Sequence, residues 1–160
     1  MQPTPKQIAK FLVKAKTETY AGDGAEVHPQ RPGFKELEYK EGDLEYRDSY
    51  YGFFAAPGQE IVRFKGTPIW NMAYNGGMNP KFRDFDLAKQ TYAFLKKALL
   101  LVEEVRPFRG PNNLKQGDWE YTDQSQGDIK DFKGTETITY KGEEVFRQDY
   151  IGGLILEKEE

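Results

Sequence analysis

Two pairs of acidic residues are the side chains of this sequence best suited to chemistry. Asp48 and Glu60 lie on segments of alternating polarity, and so do Asp123 and Glu136. Counting in steps of two places each pair on one side of a predicted sheet. If the intervening loops close hairpins, the two carboxylates of a pair lie diagonally across neighbouring strands, about 7–8 Å apart at the backbone. Their repulsion and burial would raise the pKa of one carboxyl, which suits it to proton transfer or to recognition of a cation.

Aromatic side chains fall on the same side of the predicted strands as these acids. Because one face then combines rings and carboxylates, we expect it to line a cavity for a small-molecule ligand. The candidate ligand-binding residues are Tyr46, Asp48, Tyr50, Glu60, Trp70, Tyr74, Tyr121, Asp123 and Glu136. The alternative is structural: each carboxylate caps loop amides or pairs with an arginine. The arginines available for such pairs are Arg47, Arg63, Arg106 and Arg109.

Other kinds of site find little support. The chain has no cysteine and one histidine, which excludes disulfides, thiolate zinc sites and a cysteine nucleophile. His28 lies next to a proline, and we expect it on a surface loop. The glycine pairs 76–77 and 152–153 lack the spacing of phosphate-binding loops, and no DxDxDG motif is present for calcium. We therefore expect neither a metal nor a cofactor.

The composition is that of one globular domain. Of the 160 residues, 38% are hydrophobic and 31% are charged, and a chain of this length buries about 70% of its unfolded surface. Lys and Arg number 23 against 26 Asp and Glu, a net charge of -3, which argues against nucleic acid as a partner. No apolar run reaches the length of a membrane span, and the N-terminus lacks a signal-peptide pattern. We expect a cytoplasmic protein without membrane contact.

The second half of the sequence repeats the first, with glycines and tyrosines kept in phase. The aligned segments are 41–52 with 116–127, 58–77 with 134–153 and, in predicted helices, 11–15 with 94–98. Such self-similarity indicates an internal duplication. We predict a single domain over residues 1–160, built of two repeats at roughly 4–77 and 84–155.

Local signals predict the two helices that precede the acidic segments. A capping box that starts at Thr4 predicts a helix over about 5–18. Asp84 or Asp86 can cap a second helix, whose apolar face continues until Pro107 ends it.

The remaining segments alternate like strands. Lys65-Gly66 and Lys141-Gly142 are typical of two-residue hairpin turns. We predict an α+β fold: an internally duplicated unit of one helix plus three to four antiparallel strands, with the two helices packed on antiparallel sheet. Open strand edges make a second copy of the chain a candidate partner, so we expect that a homodimer can form.

Several segments are distinctive in combination. They are FLVKAKTETYAG (11–22), RPGFKELEYKEGDLEYRDSYYG (31–52), GQEIVRFKGTPIWNMAYNGG (58–77) and FLKKAL (94–99). With them the chain resembles, over nearly its whole length, a prokaryotic family of domains of unknown function. Some relatives carry an additional N-terminal helix-turn-helix, which implies a sensory or effector-binding role. The resemblance supplies no catalytic residue.

Three functions remain open at this point. The first is a non-catalytic domain that binds a small-molecule effector in an aromatic and acidic pocket between the two repeats. The second is an enzyme that uses Asp48 with Glu60, or Asp123 with Glu136, as general acid and base. The third is a protein-interaction module that exposes an aromatic patch.

Overall fold

Strands dominate the structure, a computed structural model that describes residues 2–158. The helices are α1 (Pro5–Glu18), α2 (Phe85–Leu99) and a short 3-10 helix at Pro80–Phe82. The strands are β1 (Lys35–Glu41), β2 (Leu44–Tyr50), β3 (Gly58–Phe64), β4 (Thr67–Met78), β5 (Asn113–Gln116), β6 (Trp119–Asp128), β7 (Asp131–Tyr140) and β8 (Glu143–Leu154).

All of these strands belong to one eight-stranded sheet with the order β1-β2-β3-β4-β8-β7-β6-β5. Every neighbouring pair is antiparallel. The first four strands fill one half of the sheet and the last four fill the other. β4 and β8 join the halves at the centre, from Trp70 opposite Leu154 to Met78 opposite Phe146.

The predicted fold class is therefore wrong. We expected an α+β fold of two units, each with a helix and three to four strands, but the structure is mainly one eight-stranded sheet with two short helices. The sequence signals for strands and turns are local, whereas the pairing of β4 with β8 joins segments far apart in the chain. The internal duplication stays a prediction.

The first helix has the predicted bounds, because its capping box forms as expected. The side chain of Thr4 accepts a hydrogen bond from the backbone N–H of Gln7 at 3.3 Å, and the side chain of Gln7 accepts one from the backbone N–H of Thr4 at 2.8 Å. Both interactions satisfy amides that the helix itself leaves unpaired. The apolar stripe of α1, which includes Ile8 and Leu12, is buried.

The second helix begins as predicted and ends earlier. Asp84 caps it by accepting a hydrogen bond from the N–H of Leu87 at 2.9 Å, but the helix ends at Leu99 and does not reach Pro107. After α2 the chain turns and brings Phe108 into the core. The ring of Phe108 stacks there on the ring of Phe132, with ring centres 3.9 Å apart. The predicted extension of this helix is wrong.

The hairpin turns are confirmed. Lys65-Gly66 connects β3 to β4, and Lys141-Gly142 connects β7 to β8. All four residues have positive φ, at 51° and 83° in the first turn and 50° and 80° in the second. This backbone matches the twist of the strands that it joins.

Both helices cover the aromatic face of the sheet. α1 packs against β1 and β2, and α2 packs against β6. One apolar cluster surrounds α1 and contains Leu12 and Trp70, and another surrounds α2 and contains Leu95 and Phe146. Among residues 2–158, neither helix is long and apolar enough to cross a membrane.

Candidate functional site

The four acids singled out in the sequence lie on the covered face, two in each half of the sheet. Asp48 on β2 stands directly opposite Glu60 on β3, and Asp123 on β6 stands directly opposite Glu136 on β7. The predicted diagonal placement is therefore wrong, because register depends on the length and geometry of the connections rather than on alternation alone. All four side chains are buried.

Each aspartate receives a hydrogen bond from a tyrosine that lies over a glycine. The hydroxyl of Tyr74 donates to Oδ1 of Asp48 at 2.7 Å, and the hydroxyl of Tyr150 donates to Oδ1 of Asp123 at 2.8 Å. The residues opposite these tyrosines on the neighbouring strands are Gly58 and Gly134. A Cβ at either glycine would lie 2.3 Å from the tyrosine ring. Glycine is thus required for the tyrosine to reach its aspartate.

The glutamates are held by ion pairs. Arg109 donates to Oε1 of Glu136 through Nε at 2.9 Å and through Nη2 at 2.6 Å. The hydroxyl of Tyr121 and the amide of Gln148 also donate to Glu136, at 2.7 and 2.8 Å. Buried carboxylates require such partners because burial without them costs several kcal/mol per charge.

Glu60 has a lysine as its partner. Lys16 on α1 donates to Oε2 of Glu60 and, at 2.9 Å, to the carbonyl oxygen of Phe108. Nη1 of Arg109 lies 3.8 Å from Oε1 of Glu60, so this arginine lies between the two glutamates. Burial lowers the pKa of Lys16, and the charge of Glu60 opposes that shift.

The two aspartates differ in their counter-ions. Asp123 forms an ion pair with Arg106, whose Nη2 lies 2.6 Å from Oδ2. Asp48 forms no ion pair within the described part of the chain, and its Oδ2 has no hydrogen-bond donor there. Burial, reinforced by the nearby charge of Glu60, raises the pKa of Asp48 to about 7. Burial also raises the pKa of Asp123, to about 6.

The charges of this group of side chains are consequently unbalanced. The four carboxylates have three basic side chains as neighbours, Lys16, Arg106 and Arg109, and each of the three is paired with a carboxylate other than Asp48. Asp48 is thus the acid that is either protonated or, when ionised, lacks a counter-ion from the protein.

A cavity of about 560 Å³ opens onto Asp48. We call it the central cavity; it lies between the C-terminal end of α1, one side of α2 and the centre of the sheet. The wall residues from the helices and the segment after α1 include Lys16, Thr19, Tyr20, Ala21, Tyr92, Ala93 and Lys96. The wall residues from the sheet and its loops include Tyr46, Asp48, Tyr50, Phe53, Glu60, Tyr74, Phe108, Arg109 and Gln148.

The structure divides the predicted site residues into two groups. Those on the wall of the central cavity are Tyr46, Asp48, Tyr50, Glu60 and Tyr74. The others, which are Trp70, Tyr121, Asp123 and Glu136, lie in the core away from this wall. Trp70 is fully buried and donates through Nε1 to the carbonyl oxygen of Ile129 at 3.2 Å. For Asp123 and Glu136 the structure agrees with the alternative that each acid pairs with an arginine, since Asp123 pairs with Arg106 and Glu136 with Arg109.

Sequence reasoning missed Lys16 altogether. A signal for it exists, since Lys16 continues the spacing of Ile8 and Leu12 on the apolar face of α1. A lysine on such a face must either extend its amine to solvent or find a buried acid. The partner, Glu60, could not be identified in this way because it comes from a strand.

The rim of the central cavity is aromatic and basic. Tyr20 and Tyr50 meet edge to face with ring centres 6.0 Å apart. Lys96 pairs with Asp23 and lies 4.9 Å from the centre of the Tyr20 ring. The exposed lysines at the rim are Lys35, Lys89 and Lys97. Over residues 2–158, no group of three or more acidic or histidine side chains is placed to hold a metal ion.

Comparison with models of protein families gives a match for this chain. A family model described as "Domain of unknown function (DUF5680)" matches residues 48–155. The matched region begins at Asp48 and includes all four acids, but not α1 with Lys16. The predicted resemblance to a family of unknown function is confirmed, while the prokaryotic origin and the fusion to a helix-turn-helix stay predictions. No curated protein and no solved structure matches the chain.

Proposed function

Since the chain belongs to the DUF5680 family of domains of unknown function, we propose its role from the geometry alone: it binds a small molecule in the central cavity without transforming it. Asp48 is the residue that recognises this molecule. Such a domain would act as an effector-binding or sensory unit. A binding role of this kind needs a preformed cavity and a few polar groups directed into it.

One observation carries the proposal. Asp48 is a buried carboxylate on a cavity wall, with one oxygen bonded to Tyr74 and the other lacking a donor among residues 2–158. A purely structural acid in the core has its oxygens satisfied, as those of Glu136 are. Oδ2 of Asp48 is not among the fully enclosed polar atoms without a partner; it is open to the cavity, where a bound molecule would contact it.

The size and lining of the cavity support the same role. Its volume of about 560 Å³ lies within the range of about 300–1,000 Å³ that is typical of small-molecule sites. Rings of Tyr20, Tyr46 and Tyr50 contribute to its wall. They offer apolar surface, while the acidic group fixes the orientation of the bound molecule.

An enzyme with Asp48 as a general base is the second candidate. The pKa of about 7 suits proton transfer near neutral pH. Glu60 is paired with Lys16, however, so the expected dyad of Asp48 and Glu60 lacks a second free carboxyl. The third idea, an interaction module, stays a prediction. Phe53, an exposed residue of the cavity wall, stacks on the exposed ring of Phe85 with ring centres 5.4 Å apart.

A thermal-shift screen tests the proposed function. A library of small cationic, neutral and anionic metabolites is added to the wild-type protein, and a ligand that binds the folded state raises the melting temperature. Ala93 is exposed on α2 and contributes to the cavity wall, so Ala93→Trp should block entry and abolish the shift. Ala73 is exposed on β4 outside the central cavity, so Ala73→Trp is the matched control and should keep it.

The screen has two outcomes against the proposal. The absence of any hit contradicts it, and so does a set of hits that Ala93→Trp leaves unchanged. Each confirmed hit is then incubated with the protein and examined by mass spectrometry. An unchanged mass supports a binding domain, whereas a new product that disappears in Asp48→Asn favours the enzyme.

A further inference from the structure

We infer that the molecule bound in the central cavity carries a positive charge, as an organic ammonium or amidinium group placed against Oδ2 of Asp48. This inference rests on the proposed function and names the chemical class of its ligand. It would make Asp48 the counter-ion of the ligand rather than a residue of the protein's own ion-pair network.

The argument starts from the unbalanced charge. Each of the three basic groups beside the four acids already faces a different carboxylate: Lys16 faces Glu60, Arg109 faces Glu136 and Arg106 faces Asp123. A buried carboxylate without a cation is costly, and one additional positive charge removes that cost. The cavity is the space from which such a charge can reach Asp48.

The protein's own cations are not free to take this place. Lys16 is held by Glu60 and by the carbonyl oxygen of Phe108. Arg109 makes two hydrogen bonds to Glu136. A move of Arg109 toward Asp48 would take the basic partner from Glu136, and a move of Lys16 would leave Glu60 and Glu136 to share Arg109, so the deficit would be transferred and not removed.

The lining of the cavity also favours a cation at its inner end. Aromatic rings attract positive charge through their electron-rich faces, and Tyr46, two residues before Asp48 on the same face of β2, contributes to the inner wall. An anion at the same place would be repelled by Asp48, the one of the four acids that forms no ion pair within the described part of the chain. The exposed lysines lie at the rim, so an anionic substituent at the outer end of the ligand is compatible with the site.

Matched probes test the charge directly. The cations are 2-phenylethylamine, benzamidine and phenyltrimethylammonium; 2-phenylethanol and benzamide are neutral analogues, and 3-phenylpropionate is an anionic one. Binding to the wild-type chain is measured by calorimetry and by thermal shift at about pH 8.5, where Asp48 is ionised. At least one cation is expected to bind, and about tenfold more tightly than its neutral or anionic analogue.

Variants identify the carboxylate responsible. Asp48→Asn should lower the affinity for the cation about tenfold, while Asp123→Asn, which removes the equivalent acid away from the cavity, should leave it unchanged. Asp48→Ser serves as a second variant, and circular dichroism confirms the fold of each. If neither variant folds, the inference is tested by the relative affinities of the wild-type chain for the cationic, neutral and anionic probes.

Three results would overturn the inference: an anion that binds at least as tightly as the cations, a cation whose affinity is the same in Asp48→Asn, or no binding of any cation at about 10 mM. The proposed binding function is tested independently of this inference about the charge of the ligand. A neutral or anionic hit that Ala93→Trp blocks would keep the binding role and reject the cation.

Discussion

Asp48 and Glu60 face each other directly across β2 and β3, and both are buried. Their environments nevertheless give them different roles. Lys16 neutralises Glu60, which makes this glutamate part of the folded framework. Asp48 has a tyrosine hydroxyl as its partner and the cavity beside it, so it is the member of the pair left for a ligand or a proton.

Removing Lys16 should destabilise the protein strongly. Lys16→Met leaves the buried carboxylate of Glu60 with Arg109 alone, at 3.8 Å, and loss of one member of a buried pair typically costs about 3–5 kcal/mol. Lys14→Met is the matched control on the same helix, because Lys14 pairs with Glu41 at the surface, where solvent screens the charges and the loss should be much smaller. Urea denaturation of both variants measures the difference. Equal effects of the two substitutions would contradict this account, and Lys16→Met combined with Glu60→Gln should recover part of the lost stability.

Substitution of Gly58 should displace Tyr74. In Gly58→Ala the new Cβ would lie 2.3 Å from the ring, which forces the ring away from Asp48 and costs about 1–3 kcal/mol through overpacking. A double-mutant cycle with Tyr74→Ala checks the cause, because the same glycine substitution should cost much less when the ring is absent. An identical cost in both backgrounds would show that the strain arises elsewhere.

The hydroxyl of Tyr74 should lower the pKa of Asp48. A hydrogen bond to the ionised carboxylate favours the charged form, so Tyr74→Phe is expected to raise the pKa of Asp48 above its value of about 7. Carbon-detected NMR titration of the aspartate carboxyl signals measures it. Tyr150→Phe is the control, since Tyr150 donates to Asp123 and its removal should leave Asp48 unaffected. A decrease, or no change, in Tyr74→Phe would contradict the assigned contact.

Stability should fall as the pH rises through the titration of Asp48. The folded-state pKa is about 7 against 3.8 for an ordinary aspartate, so the folded protein keeps a proton that the unfolded chain releases at lower pH. The contribution of Asp48 to the free energy of unfolding therefore decreases from about pH 4 to about pH 7 and stays low above that range. The side chain of Asp48→Asn stays neutral at every pH. The free energy of unfolding of this variant, relative to that of the wild type, should therefore rise by at least about 1 kcal/mol between about pH 5 and about pH 8.

The comparison isolates Asp48 because its surroundings are the same in both proteins. The charged and titratable groups that face it are Lys16, Tyr20, Tyr46, Tyr50, Glu60, Tyr74 and Arg109. Denaturant titrations at several pH values give the two stability curves. Parallel curves would mean that Asp48 is ionised throughout the range.

The sequence by itself determined the features that depend on neighbouring residues. The capping box at Thr4 sets the start of α1, and the turn Lys65-Gly66 joins β3 to β4. Alternation of polarity correctly placed Asp48, Glu60 and Tyr74 on one face of the sheet. These features could be predicted because their hydrogen bonds and side-chain directions are fixed within a few residues.

Only the tertiary structure decided how those elements meet. The union of all strands into one sheet depends on β4 pairing with β8, and the direct placement of Asp48 opposite Glu60 depends on register. The ion pair of Lys16 with Glu60 joins a helix to a strand 44 residues away. Such contacts are chosen by the packing of the whole chain, because a buried charge takes whichever partner the fold brings within reach. Of the four acids on the covered face, the fold paired three with cations of the protein and left Asp48, on the cavity wall, without one.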